Sequence, residues 1–316
     1  MPDSTVPDST VPDTGSAFTV GTVGVKRVVE FTGQLFTRGQ VLPDSDLSEW
    51  EAARPRLEPR FWNAATDDIT VAIQSFLLES GGKQILVDTG IGNRKQRPTV
   101  PQFHDRNTPF LERLRAAGAE PAEIDVVICT HLHPDHVGWN TVLDGDRWVP
   151  TFPNARYLLP KADYEFWDPA NGTALLGPHA RDHVRVFDDS VEPVMRAGNA
   201  ELWAGELAID TALTLRQVPG HTPGSCVLTV RSAGHQALFV GDLLATPMMI
   251  EHPDLCAQTG GRSIDADPAL VAPARRELMR HAADTGARVV PAHFDVDAGV
   301  YINRDNDNFT FTVAEH

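Results

Sequence analysis

Thr130-His131-Leu132-His133-Pro134-Asp135-His136-Val137-Gly138-Trp139 packs three imidazoles and a carboxylate into six consecutive residues. It follows Ile124-Asp125-Val126-Val127-Ile128-Cys129, whose β-branched apolar residues read as a buried strand ending where Thr130 begins. The histidines therefore sit on a loop at a strand end. In an extended segment His131 and His133 point to one side and suit one metal ion. Pro134 stiffens the turn, so Asp135 and His136 face a neighbouring position where a second ion would sit.

Four ligands do not complete two metal shells, so the reading requires further donors at other strand ends. Leu215-Arg216-Gln217-Val218 runs into Pro219-Gly220-His221-Thr222-Pro223-Gly224, Ala237-Leu238-Phe239-Val240 into Gly241-Asp242, and Arg288-Val289-Val290-Pro291-Ala292 into His293. Upstream, Gln84-Ile85-Leu86-Val87 runs into Asp88-Thr89-Gly90.

Taken together, Asp88-Thr89-Gly90, His131 to His136, His221, Asp242 and His293 resemble the motif series of the metallo-β-lactamase superfamily, in the right order from about Gly81 to His293. The resemblance implies an α/β chain folded as an αββα sandwich, with a dinuclear site on one edge. It also implies that His131, His133 and His221 hold one metal, that Asp135, His136 and His293 hold the other, and that Asp242 bridges them. Asp88 would orient ligands without binding metal. Two ions about 3.5–4 Å apart would share a water, bring its pKa near neutrality and aim the resulting hydroxide at an electrophilic centre. Asp135 and Asp242 are then the catalytic carboxylates, and no nucleophilic side chain is needed. Nitrogen-rich shells with carboxylates suit Zn2+, with Mn2+, Co2+ or Fe2+ as alternatives. The flavodiiron relatives carry Glu where this chain has His133, which points away from oxygen chemistry and toward hydrolysis.

Within the superfamily, β-lactamases generally lack an aspartate at the position of Asp242. Glyoxalase II enzymes carry a basic C-terminal extension, whereas the tail after His293 is acidic. Gly220 to Ser225, Val240-Gly241-Asp242-Leu243 and Pro291-Ala292-His293-Phe294 are similar to the branch of acyl-homoserine lactonases and methyl parathion hydrolases. The homoserine lactonases have a tyrosine three residues after the bridging aspartate, where this chain has Ala245. The expectation is a metal-dependent hydrolase of small lactones or esters. A thioesterase-like or phosphotriester hydrolase is the alternative, and a metal-binding scaffold without turnover the non-enzymatic one.

Bulk properties agree. With 43 acidic and 27 basic residues, the net charge of −16 repels nucleic acid and anionic lipid, which leaves a small molecule as partner and a homodimer as compatible. Cys129, Cys226 and Cys256 are too few and too widely spaced for a disulfide framework and read as core packing. With neither a signal peptide nor a membrane-length apolar run, a cytoplasmic protein is expected.

Residues 1–16, with the repeat Pro-Asp-Ser-Thr-Val, read as a disordered tail and 17–316 as one domain. A strand is expected over Val23 to Phe31, and a hairpin over Ile69 to Val87 turning at Gly81-Gly82. Residues 32–66, with Phe36, Trp50, Phe61 and Trp62, form an insertion that is either a lid or an edge flap. Phe36, Trp62, Trp139, Met248 and Met249 are the candidate pocket residues. Arg94, Lys95 and Arg97 read as a solvated loop or an anion-attracting patch. Asn107 is expected to cap a helix from Thr108 to Ala117, and Asp267 one from Pro268 to Asp284. Asn140, His179 and His183 read as solvent-facing.

Overall fold

The computed structural model describes residues 16–171, 180–259, 262–306 and 308–315. The expected tail lies outside them except for Ser16, whose carbonyl accepts the Arg27 N–H at 2.9 Å. Strand alternation builds the architecture. Ile85 and Val87, Val126 and Ile128, and Ala237 and Phe239 enter one apolar cluster between two sheets. The intervening Leu86 and Val127 pack outward against Phe110 and Leu114 of the helix Phe110–Ala116. Leu238 and Val240 pack outward against Val271, Leu278 and Met279 of the helix Pro268–Thr285. The layers are therefore helix, sheet, sheet, helix. Phe76 and Phe239 meet edge to face across the middle at 5.3 Å.

The first sheet has eight strands and the second seven. In the first, Lys83–Val87 lies parallel to Val126–Ile128, with Val87 opposite Ile128. In the second, His235–Gly241 lies parallel to Arg288–Pro291, with Gly241 opposite Pro291. Parallel pairing brings Asp88 beside Thr130 and Asp242 near His293, because equivalent strand ends exit on one edge. The two edges are joined where the Cys226 N–H donates to the Thr130 carbonyl at 3.0 Å. Gly241 is needed there: its φ is +51°, and a Cβ would lie 2.9 Å from the Thr130 hydroxyl.

Several local expectations shift. The strand from Val23 continues to Thr37, so Thr32 to Thr37 lengthen a hairpin with Asp68–Ser80. The remainder of 32–66 holds the helices Arg38–Val41 and Leu47–Leu57. Trp50, Leu57, Phe61 and Trp62 of this segment enter the core cluster of the second sheet's outer face. The hairpin turns at Gly81 and Gly82, both at positive φ, as expected. The first outer helix starts at Phe110 with Pro109 as its N-cap. The Asn107 cap is not used: its side-chain oxygen accepts the Asn93 amide at 3.0 Å, and Pro109, two residues on, has no N–H to donate. Asp267 caps the Pro268–Thr285 helix through the Ala269 N–H.

Arg94 is exposed, as a solvated loop would have it, but Lys95 and Arg97 are buried and face the internal carboxylate of Asp189. Arg97 forms two hydrogen bonds to Asp189, at 2.7 and 2.8 Å. Lys95 donates to the Thr141 hydroxyl and the Asp189 carbonyl and lies over the Trp148 ring. Cys129, Cys226 and Cys256 are unpaired, the first two buried as core residues. Among the described residues no helix is long and apolar enough to cross a membrane.

Candidate metal centre

The strand-end loops deliver two nests of donor atoms. His131, His133, His221 and Asp242 form one, and Asp135, His136 and His293 the other; within each, the donor atoms lie within 4.8 Å of one another. Asp242 stands between them. Its Oδ2 lies 3.4 Å from His221 Nε2 and 3.9 Å from His131 Nε2. Its Oδ1 lies 3.0 Å from His293 Nε2 and 3.3 Å from His136 Nε2. Asp135 Oδ2 sits 3.5 Å from His293 Nε2.

These groups fit a pair of cations better than they fit one another. His133 Nδ1 faces both His131 Nε2 at 3.1 Å and His221 Nε2 at 3.0 Å, three ring nitrogens converging on one point. Hydrogens among three such atoms cannot satisfy all of them. His136 Nε2 and Asp242 Oδ1 are buried and have no hydrogen-bond partner. Such orphans are costly unless a ligand completes them. Burial, reinforced by the neighbouring imidazoles, holds His131 and His133 well below the usual histidine range, so their lone pairs are free. In the second nest burial pulls the same way, but Asp242, Asp88 and Asp135 outweigh it at His136, and Asp242 with Asp135 raises His293 to about 9. That nest attracts positive charge.

Four of the five imidazoles are oriented from behind. His136 Nδ1 bonds Asp88 at 2.9 Å, His221 Nδ1 bonds Asp265 at 2.8 Å, His293 Nδ1 bonds the Ala72 carbonyl at 3.0 Å and His131 Nδ1 bonds the Thr130 hydroxyl at 3.2 Å. With Nδ1 held as donor, Nε2 presents its lone pair to the centre. Asp88, at φ +55°, also accepts the Thr130 N–H and hydroxyl at 2.8 and 2.9 Å, so one carboxylate holds a loop and a ligand together.

Other supporting residues carry no local signature and escape a sequence reading. Asp163, in the helix Lys161–Trp167, accepts from Leu132 N–H, Thr222 hydroxyl and Gly224 N–H, tying the first ligand loop to the His221 loop. Burial raises its carboxyl to about 6. Glu30, fully buried, accepts from Ile91 N–H, Gly92 N–H, Thr108 hydroxyl and the Trp139 indole.

The pocket expectations change accordingly. Trp139 is 3% exposed, stacks on Phe110 at 5.4 Å and donates its indole N–H to Glu30 at 2.8 Å. Asn140 is buried beside it and accepts the Thr89 hydroxyl. Met248, Met249 and Trp62 are core residues at 0–1% exposure: the apolar run after Asp242 turns into the layer that also holds Trp50 and Phe294. Phe36 is half-buried and meets Phe103 edge to face at 6.4 Å. It clusters with Leu35, Val71 and Val100 against Phe31, Ile73 and Ile91. His183 is not solvent-facing but half-buried, stacked on Trp167 at 4.0 Å with its ring 5.9 Å from that of His133. His179 lies outside the described residues.

A cluster of five histidines and two aspartates able to hold metal ions thus lies at one edge of an αββα sandwich. The metallo-beta-lactamase superfamily model matches residues 69–293, and the chain belongs to that superfamily. It is 24% identical over 185 residues to the N-acyl homoserine lactonase AttM of Rhizobium radiobacter, a match covering 55% of this chain and 65% of that relative, just under two thirds of its length. Among solved structures, the hydrolase AbOPH of the beta lactamase superfamily superposes with a TM-score of 0.78 at 19% identity, covering 96% of this chain and 98% of that one. AidC, described as a dizinc quorum-quenching lactonase in complex with its product, superposes with a TM-score of 0.74 at 21% identity, covering 96% and 98%. These structural likenesses speak to the fold.

Proposed function

We propose that this chain is a dinuclear metal-dependent hydrolase of small lactones or esters. The observation that carries the reading is Asp242, whose two oxygens address two separate nests, as a bridging ligand requires. His131, His133 and His221 would hold one divalent ion, and Asp135, His136 and His293 the other. Zn2+ suits a donor set of five imidazoles and two carboxylates. The ions, when bound, would supply Lewis acidity that polarises a carbonyl and acidifies water.

The chain's own groups do the remainder. Asp88, Asp265, Ala72 and Thr130 hold four imidazoles in the tautomer that presents Nε2. Asp135 is less deeply buried than Asp242, with 13% against 7% of its side chain exposed, so it is the carboxylate placed to move a proton between leaving-group oxygen and solvent. The rings of Trp167 and His183 lie 5.6 and 5.9 Å from that of His133, at the edge of the first nest. Such a rim favours a neutral, partly apolar substrate. The likeness to AttM and the dizinc lactonase AidC supports the lactone reading.

A panel of lactones, aryl esters, thioesters and phosphotriesters offered to the zinc-loaded protein tests this. Turnover of lactones or esters, abolished by chelation and restored by Zn2+, is expected. Turnover confined to a thioester or a phosphodiester, or activity indifferent to thorough chelation, would overturn it.

A further inference from the structure

We infer that Asp265 is a positioning residue for His221 that sets the affinity of the His131/His133/His221 subsite alone, whereas Asp88 serves the neighbouring one through His136 and also holds the Thr130 hydroxyl behind His131. The inference rests on the dinuclear reading above and adds to it a division of labour between two carboxylates.

Asp265 reaches His221 across 44 residues of sequence, yet its position is locked by backbone. The Ala266 N–H donates to the His221 carbonyl at 3.0 Å and the Asp267 N–H to the Gly220 carbonyl at 2.9 Å. The segment 265–267 thus runs alongside the ligand loop, and the Asp265 N–H is fixed in turn on the Ser263 hydroxyl at 3.0 Å. From this strap Asp265 Oδ1 meets His221 Nδ1 at 2.8 Å, both side chains about 2% exposed. The other oxygen faces Arg275 Nη2 at 3.9 Å. Arg275, fully buried on the Pro268–Thr285 helix, spends its remaining donors on the Leu243, Pro253 and Leu255 carbonyls. One guanidinium therefore links the carboxylate behind His221 to the chain segment leaving Asp242.

The consequence is asymmetric. Among the described residues, only His221 in the first nest has a carboxylate behind it, since His131 leans on a hydroxyl and His133 turns Nδ1 inward. In the second only His136 has one, Asp88, since His293 leans on a carbonyl. A carboxylate partner makes an imidazole a stronger donor than a hydroxyl or carbonyl does, and its loss costs about 10–100-fold in metal affinity. Each subsite thus has one affinity-setting carboxylate, and they belong to different loops.

The test titrates Zn2+ against a competing chelator in the wild type, Asp265→Asn and Asp88→Asn. In Asp265→Asn one of two equivalents should weaken by about 10–100-fold while the other stays within about threefold; in Asp88→Asn the other equivalent should weaken most, with a smaller effect on the first through Thr130 and His131. Unchanged affinities in Asp265→Asn, or equal weakening of both equivalents in a folded variant, would overturn the inference while leaving the dinuclear reading intact. A wild-type chain that holds no metal would overturn both. Should the variant not fold, the long-range proton–nitrogen NMR spectrum of the zinc-loaded wild type decides. His221 protonated at Nδ1 and ligated through Nε2 supports the inference, and the reverse arrangement overturns it.

Discussion

Replacing Glu30 separates the work of one buried carboxylate from the work of the metals. Its two oxygens accept four hydrogen bonds: Ile91 N–H at 2.6 Å on one, and Gly92 N–H at 3.2 Å, Thr108 hydroxyl at 3.0 Å and Trp139 Nε1–H at 2.8 Å on the other. Glu30→Ala leaves the Ile91, Gly92 and Trp139 donors without partners, whereas Thr108 retains Asn93 at 3.3 Å. At about 1–3 kcal/mol for each orphaned buried donor the cost is about 3–9 kcal/mol, comparable to the whole stability of a typical domain. Glu30→Gln keeps an oxygen for the three-donor side and strands only Ile91, at about 1–3 kcal/mol. Part of that is recovered because burial penalises the native carboxylate, whose pKa is raised. That recovery grows as pH rises through the raised pKa, where the wild type loses stability and the glutamine does not. Urea unfolding followed by tryptophan fluorescence reads the difference directly. A Glu30→Ala protein within about 1 kcal/mol of wild type, or a Glu30→Gln protein as unstable as it, would refute the hydrogen-bond accounting.

Asp135→Ala should lose most activity together with one equivalent of bound metal; full activity with two bound ions, by elemental analysis and steady-state rates, would contradict its proposed role. Met249→Ala should cost about 2–5 kcal/mol in urea unfolding as a core truncation while leaving KM unchanged, and a large KM shift without loss of stability would return that residue to the substrate pocket. Lys95 carries a pH signature. Burial lowers its ammonium from 10.5 to about 7, against the pull of Asp189. The unfolded chain then binds the extra proton between those values, so stability rises with pH, by about 2 kcal/mol from pH 7 to 9. Lys95→Met should remove that slope, and parallel pH profiles for the two proteins would argue against it.

The seven donors were legible because metal ligation imposes local grammar: a β-branched run, a turn, then an imidazole or carboxylate. His131 to His136 even share one segment. Layer order was legible for a similar reason, since period-two alternation states which residues of Lys83–Val87 or His235–Gly241 face which layer. The supporting carboxylates were not. Glu30 meets Trp139 at a separation of 109 residues, Asp163 meets Gly224 at 61 and Asp265 meets His221 at 44. Nothing near them in sequence distinguishes them from surface acids. The aromatic and methionine candidates were harder to place for a different reason. Apolar character says that Trp62, Met248 or Trp139 is buried somewhere, and only the direction of the chain after the ligand decides whether it meets substrate or core.

The division between rigid support and half-buried rim carries a functional consequence on the proposed reading. Asp88, Asp163 and Asp265 each hold ligand-loop groups from a distant segment, and Glu30 pins the turn at Ile91 and Gly92 to Trp139, so the nests are cross-braced by buried hydrogen bonds whose loss leaves orphaned donors. Phe36, Trp167 and His183 are each half-buried and make ring contacts. Substitutions there alter the shape presented to a substrate without disturbing the tautomers or spacing of the metal ligands. Selectivity among lactones and esters should therefore be adjustable at these positions at nearly constant metal affinity, whereas any change at the four carboxylates should move metal affinity, stability or both before it moves selectivity.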